Sequence, residues 1–239
     1  MPMTTHRIVN HADWLTARRA LLEEEKAFSR ARDLLAQRRR ELPWEEVTKP
    51  YAFDTPQGPR SLAELFGRRS QLFVYHFMLG PGWAEGCKSC SYLADHFDGM
   101  LPHLVQRDVS FTAVSHAPLT EIETFKRRMG WRFPWVSAHG TDFNFDLDAS
   151  FRPDELAAGR CTYNYGPRDG QITELPAASV FFRDTDGRVF HTYSCYARGL
   201  DLLIGTYNYL DLLPKGRDEE ALEFTMGWVR HHDRYDTVV

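Results

Sequence analysis

The chain has 239 residues, of which 43% are hydrophobic and 26% charged, with a formal net charge of -4 and four cysteines. That is enough for one large domain burying roughly 70% of its unfolded surface, so disulfide staples are not needed. The mildly acidic balance excludes an electrostatic case for nucleic acid or an anionic membrane as partner. No run reaches the roughly 18 apolar residues that a membrane span requires.

The opening MPMTTHRIVNHADWLTARRALLEEE carries no apolar signal-peptide core, so a cytoplasmic protein is expected. Residues 11–42 read as a helix. Trp14, Ala17, Leu21 and Leu22 recur at helical spacing, then Phe28, Leu34 and Leu35. Asn10 or Asp13 caps its start and Pro43 ends it. Arg38, Arg39 and Arg40 lie among Glu41, Glu45 and Glu46 and read as a solvated helix end. Residues 1–45 are therefore expected to form an N-terminal helical extension that packs on the main domain or on a second subunit. Residues 46–239 form the main domain, with an insertion near 140–176 and a helical tail.

Within that domain, residues 51–54 are extended and 56–59 turn. Ser61 caps a short helix over 62–66, with Glu64 at its third position. Residues 71–79, QLFVYHFML, form a near-continuous apolar run, the mark of a central strand covered on both faces. A helical stretch over 91–104, with an interruption allowed around Gly99 and Pro102, a strand over 109–114, a helix over 120–129 and a strand at 135–136 follow, the alternation of an α/β layer fold. In the insertion, FNFDLDASF is a strand or a loop, and 153–158 a short helix. Residues 179–182 and 188–193 form a hairpin, with Asp186-Gly187 as the turn signal. Residues 197–213 and 221–232 read as C-terminal helices.

The chemistry concentrates in LFVYHFMLGPGWAEGCKSCSYLADHF, where a buried strand enters a glycine-rich loop, then Cys-Lys-Ser-Cys, then a helix. Cys87 at the first turn of that helix meets unpaired N–H groups and the positive end of the helix dipole, which favour thiolate. Lys88 adds a cation. Cys90, almost one turn later, is the resolving thiol behind an exposed attacker. Two incidental cysteines, or half of a zinc site with His96 or His103, are the rival readings. The strand–loop–helix context favours redox work.

This arrangement resembles the thioredoxin-like superfamily. YAFDTPQGPRSLAELFG followed by QLFVYHFM is similar to the branch holding peroxiredoxins and thiol-disulfide oxidoreductases. LPWEEVTKPYAFDT, FMLGPGW, GCKSCSYLAD, RRMGWRFPWVSAHGTDFNFD and VFFRDTDGRVFHTYSCYARG resemble more closely a group of bacterial thioredoxin-like proteins, the DUF899 family. The resemblance implies an α/β thioredoxin-like fold, a central mixed sheet flanked by helices. It also implies Cys87 as nucleophile and Cys90 as resolving thiol. Gly86 stands where thioredoxins have tryptophan, and Trp83 precedes the first cysteine by four residues. No threonine stands three residues before Cys87, which argues against a peroxiredoxin-type peroxidase. The superfamily places a cis-proline opposite the cysteines. Pro176 is the nearest candidate, although alignment on the hairpin turn puts the position nearer Ala178.

Cys195 and Cys161 are candidate relay thiols, though isolated cysteines are more often small buried hydrophobes. Two Tyr-Asn-Tyr triplets, at 163–165 and 207–209, suit either a pocket lining with Trp83 as lid or core packing. His76, inside the central strand, reads as a satisfied interior histidine. The expected activity is thiol–disulfide exchange with a disulfide-containing protein or small molecule, using a cellular reductant and no bound cofactor or metal. A binding or scaffold protein whose cysteine pair is inert or holds a metal is the alternative, and a thiol peroxidase a third. The helical extensions suit a homodimer.

Overall fold

A computed structural model describes residues 6–236. The chain divides into two compact units, one ending at Pro43 and the other beginning at Trp44. The first is a single helix, α1 (His11–Arg40), whose start is capped by the Asn10 side chain accepting from the Asp13 N–H at 2.9 Å. None of its residues is buried, and Trp14, Leu21, Phe28 and Leu35 are all exposed.

The second unit carries β1 (Glu45–Glu46), β2 (Ala52–Phe53), β3 (Arg60–Ser61), α2 (Leu62–Leu65), β4 (Gln71–His76), α3 (Lys88–Ala94), α4 (Phe97–Val105) and β5 (Val109–Ser115). Then come α5 (Leu119–Arg128), β6 (Trp135–Ser137), α6 (Phe143–Asp146), α7 (Pro153–Ala157), β7 (Thr162–Tyr163), β8 (Gly166–Pro167), β9 (Ala177–Arg183), β10 (Val189–Tyr196), a 3₁₀ turn (Ala197–Leu203), α8 (Gly205–Leu210) and a final 3₁₀ turn (His232–Arg234). The main sheet has strand order β1-β10-β9-β4-β5-β6. β4, β5 and β6 run parallel, while β9 pairs antiparallel with β4 and carries β10 as a hairpin. A parallel β–α–β unit extended by an antiparallel hairpin is the thioredoxin-like arrangement.

The sequence explains these elements. The Ser61 hydroxyl accepts from the Glu64 N–H while the Glu64 carboxylate accepts from the Ser61 N–H, a full capping box at α2. At the hairpin, Asp184 Oδ1 accepts from the N–H groups of Asp186 and Arg188, and Gly187 takes a positive φ. Strand β4 has two apolar faces, as its unbroken pattern requires. Leu72 and Val74 join Phe53, Phe66 and Phe143 on one side. Tyr75 joins Phe77, Cys90, Leu93 and Phe97 on the other.

Four elements differ from the sequence reading, the first being residues 197–213, where the extended backbone of Ile204 parts a 3₁₀ turn from α8 in place of one helix. The interruption of the helical stretch over 91–104 falls at Asp95–His96, between α3 and α4, and α4 runs unbroken through Gly99 and Pro102. FNFDLDASF begins as the single helical turn α6. Residues 221–232 form turns rather than a helix, because Met226 adopts φ 64° and Glu219 gathers the chain locally. Glu219 Oε1 accepts from Tyr207 Oη, the Met226 N–H and the Trp228 indole. No helix among the described residues is long and apolar enough to cross a membrane.

Candidate active site

The loop between β4 and α3 closes on itself, with the Cys87 N–H donating to the Met78 carbonyl at 3.0 Å. The Cys87 carbonyl accepts from both the N–H and the hydroxyl of Ser91 at 2.9 Å. The backbone of Cys87 is thus fixed on both sides, and its thiol stands half-buried at the N-cap position of α3. No N–H completes a full capping bond to the sulfur, yet those of Ser89 and Cys90 lie close enough to favour a negative charge there.

The two thiols are driven apart in acidity. Cys87 is lowered to about 6, first by a hydrogen bond from the Cys90 thiol and then by the N–H groups of Cys90 and Ser89 and the Ser89 side chain, against burial. Cys90, 1% exposed, is pushed well up by burial and by the neighbouring Cys87 sulfur. Behind Cys90 stands the Tyr75 hydroxyl, hydrogen-bonded to its sulfur and itself raised by burial. The site is a chain of three groups, from half-buried Cys87 through Cys90 to buried Tyr75. An attacking thiolate with its proton-bearing partner behind it suits two-step thiol–disulfide exchange.

Gly86 has a packing reason. A Cβ there would stand 2.6 Å from the rings of Phe77 and Phe125, so the tryptophan of thioredoxins has no room. The Gly86 carbonyl instead accepts from His231 Nε2 at 2.9 Å. His231 is 3% exposed and comes from the C-terminal tail, where Arg128 bridges Glu85 and Asp233 and Arg234 also holds Glu85. The tail therefore braces the cysteine loop. Neither Tyr75 nor His231 emerged from the sequence. Only the alternation of β4, placing Tyr75 on the face of the following helix, hinted at the first.

Lys88 is exposed, and the largest causes lowering Cys87 are the thiol and amide donors already named. Trp83 is half-buried over Gly80, where a Cβ would meet its indole nitrogen at 2.9 Å and the Glu174 side chain at 3.3 Å. Pro176 immediately precedes β9, and its carbonyl accepts from Tyr163 Oη at 2.7 Å. No cis peptide bond occurs among the described residues, so Pro176 is trans and the cis-proline expected there is not met. Ala177 and Ala178 instead pair with His76 and Tyr75, the ordinary ladder continuing across the position where that proline would stand.

Cys195 lies on β10 opposite Ala178, itself opposite Tyr75, and packs against the same cluster as Cys87 and Cys90. Cys161 lies in a separate cluster with Phe151 and Leu156 and is not brought to the dithiol. The triplets are also apart, Tyr163 packing on Tyr196 and Tyr207 on Tyr92. His96 Nε2 is bonded to Thr206 and His103 is exposed on α4. No group of three or more metal-ligating side chains forms among the described residues. His76 is satisfied by Asn144 and Ser179, both at 3.0 Å.

A match to the family described as "Bacterial protein of unknown function (DUF899)" spans residues 3–235. The chain belongs to this family. No curated protein matches it. Among solved structures it is similar to peroxidoxin BcpB from Mycobacterium tuberculosis, at 15% identity over 69% of this chain and 95% of that one, with a TM-score of 0.41. A PrxQ mutant from Xylella fastidiosa is 13% identical over 70% of this chain and 94% of that one, with a TM-score of 0.43. A yeast mitochondrial 1-Cys peroxiredoxin is 17% identical over 71% of this chain and 78% of that one, with a TM-score of 0.38.

Proposed function

We propose that the protein is a thiol–disulfide oxidoreductase acting through Cys87 and Cys90. The observation that carries this reading is the placement of the pair, a half-buried Cys87 at the N-cap of α3 with Cys90 fully buried behind it, an arrangement that lowers the first thiol and raises the second. The Cys87 thiolate attacks one sulfur of a substrate disulfide, forming a mixed disulfide and expelling the other sulfur as thiolate. Cys90 then gives up its proton and attacks the Cys87 sulfur, releasing the second substrate thiolate and leaving a Cys87–Cys90 disulfide. An external dithiol, itself oxidised to a disulfide, returns two electrons and restores the pair. Because Cys90 is the donor to Cys87, the step that needs Cys90 deprotonated begins once Cys87 carries no charge in the mixed disulfide. The proton is then no longer held by that bond.

Cys90→Ser is expected to trap the mixed disulfide with a glutathionylated or protein disulfide probe, seen by mass spectrometry. Cys87→Ser is expected to form none. Turnover of the same disulfides by Cys90→Ser at the wild-type rate overturns the mechanism.

A further inference from the structure

Strand β5 is covered along its whole length on one side only. Residues 109–114 pair with β4, whereas on the other edge β6 reaches only Ala113, Val114 and Ser115. The Ala113 N–H donates to the Pro134 carbonyl at 2.8 Å, so the backbone groups of Ala113 point to the β6 edge. By the two-residue alternation of a strand, those of Phe111 and Val109 point the same way. β6 cannot continue the ladder, because Pro134 has no N–H for the Phe111 carbonyl. The Arg132 N–H, one step further back, is taken by Asp98 at 3.0 Å. Among the described residues nothing pairs with Val109 or Phe111 on that side.

Beside this edge lies a cavity of about 540 Å³, lined by residues 109–112 themselves. Residues 55–57 also line it, next to the pairing of Asp54 with Ser137 of β6. The space is therefore a slot where β6 would have run on, at the end of the sheet away from the cysteine loop. Four residues of extended chain span about 13 Å, the length of the open edge. Arg60, Arg69, Lys126 and Arg132 line the slot, against Glu64 as the one lining carboxylate among the described residues. Arg69 reaches Ser110 Oγ at 3.5 Å and lies near enough to Asp108 to interact with its carboxylate, without a close ion pair among the described residues. The Lys126 and Arg132 pairs are long, at 4.0 and 3.7 Å.

We propose that this slot binds a short, extended, acidic segment of a partner protein, added as a strand to the edge of β5 at Val109 and Phe111. Main-chain bonds to β5 supply the fixed register, and the cations select carboxylate side chains. The proposal goes beyond the dithiol reading and does not depend on it.

The test uses the full chain and a fluorescein-labelled peptide alternating aspartate and valine. Controls carry lysine for aspartate, or methyl groups on alternate amide nitrogens. The acidic peptide is expected to bind, and to slow hydrogen exchange at the Val109 and Phe111 amides by about tenfold or more. Amide methylation, or the paired substitutions Arg69→Glu and Arg132→Glu, is expected to weaken binding by about tenfold or more. Far-UV circular dichroism and unchanged Cys87 alkylation establish that the variant is folded. Absence of binding, equal binding of the lysine peptide, or binding without protection of Phe111 overturns the proposal. So does inorganic phosphate producing the same protection, which identifies a small-anion site instead.

Discussion

Cys90→Ala removes the hydrogen bond that does most to hold Cys87 at about 6, against the ordinary 9.0. The whole lowering corresponds to about 4 kcal/mol of preference for thiolate. A hydrogen bond to a charged acceptor contributes about 1.5–3 kcal/mol, so its loss returns roughly a third to three-quarters of that. The N–H groups of residues 89 and 90 and the Ser89 side chain remain. Cys87 in the variant is therefore expected to titrate at about 7–8, and its thiolate fraction at pH 7 to fall from about 90% to about 10–50%. The assay is the initial rate of Cys87 alkylation by iodoacetamide, followed by mass spectrometry across pH. The reactive species is the thiolate, so the rate climbs with pH and levels off above the titration point. The wild-type profile is expected to be nearly flat above about pH 7, where the Cys90→Ala profile still climbs. Cys90→Ser keeps a hydroxyl donor and is expected between the two. A Cys90→Ala midpoint that stays near 6 would refute the reasoning, because the amides alone would then hold the charge.

Two further outcomes follow from buried groups. Burial holds His76 at about 4, below its ordinary 6.5, so the unfolded chain takes a proton that the native ring refuses. Stability is then complete above about pH 6.5 and falls by up to about 3 kcal/mol as pH drops toward 4. Urea unfolding of wild type and His76→Gln at several pH values checks this, and parallel losses in the two proteins would remove His76 as the cause. Gly86→Ala places a methyl 2.6 Å from Phe77 and Phe125. Overpacking of this kind costs about 1–3 kcal/mol, and an unchanged urea midpoint would contradict the packing account.

The legible part of the fold was the part fixed by period and punctuation. The apolar run from Gln71, the Ser61–Glu64 capping pair and the Asp186-Gly187 turn each name a local structure with a local cause, and each is found in place. The tail was not legible for the opposite reason. Its apolar residues Trp228 and Val229 have helical spacing with Phe224 or Met226, but Glu219 collects donors from across the tail and α8 and imposes turns. Nothing in the residues 219–229 reveals that Tyr207 will be there to meet the carboxylate. The dithiol was readable as a pair, because strand, loop and helix put Cys87 at a helix start. Its acidity was readable in part, since the N–H groups at the helix start are among the donors, whereas the leading donor, the Cys90 thiol, carried no such signal and Lys88 is not among the main causes.

The glycine before Cys87 ties the active loop to the far end of the chain. A bulky residue there would cover the loop locally, as a tryptophan does from its own position. Here Phe77 and Phe125 take the space from below, and His231, arriving 145 residues later in the sequence, takes the buried carbonyl. The same tail is anchored by Trp228 on Tyr92 of α3 and by Val229 in the core. Bracing from a distant segment costs more chain entropy than a local side chain. In return, the Gly86 carbonyl is satisfied by a buried ring rather than by water. The thiolate of Cys87 therefore sits on a loop held from two sides, by the Met78–Cys87 backbone bond and by the tail. Its charge is stabilised by donors whose positions that loop sets. Tail docking and thiol acidity are in this way properties of one packed unit.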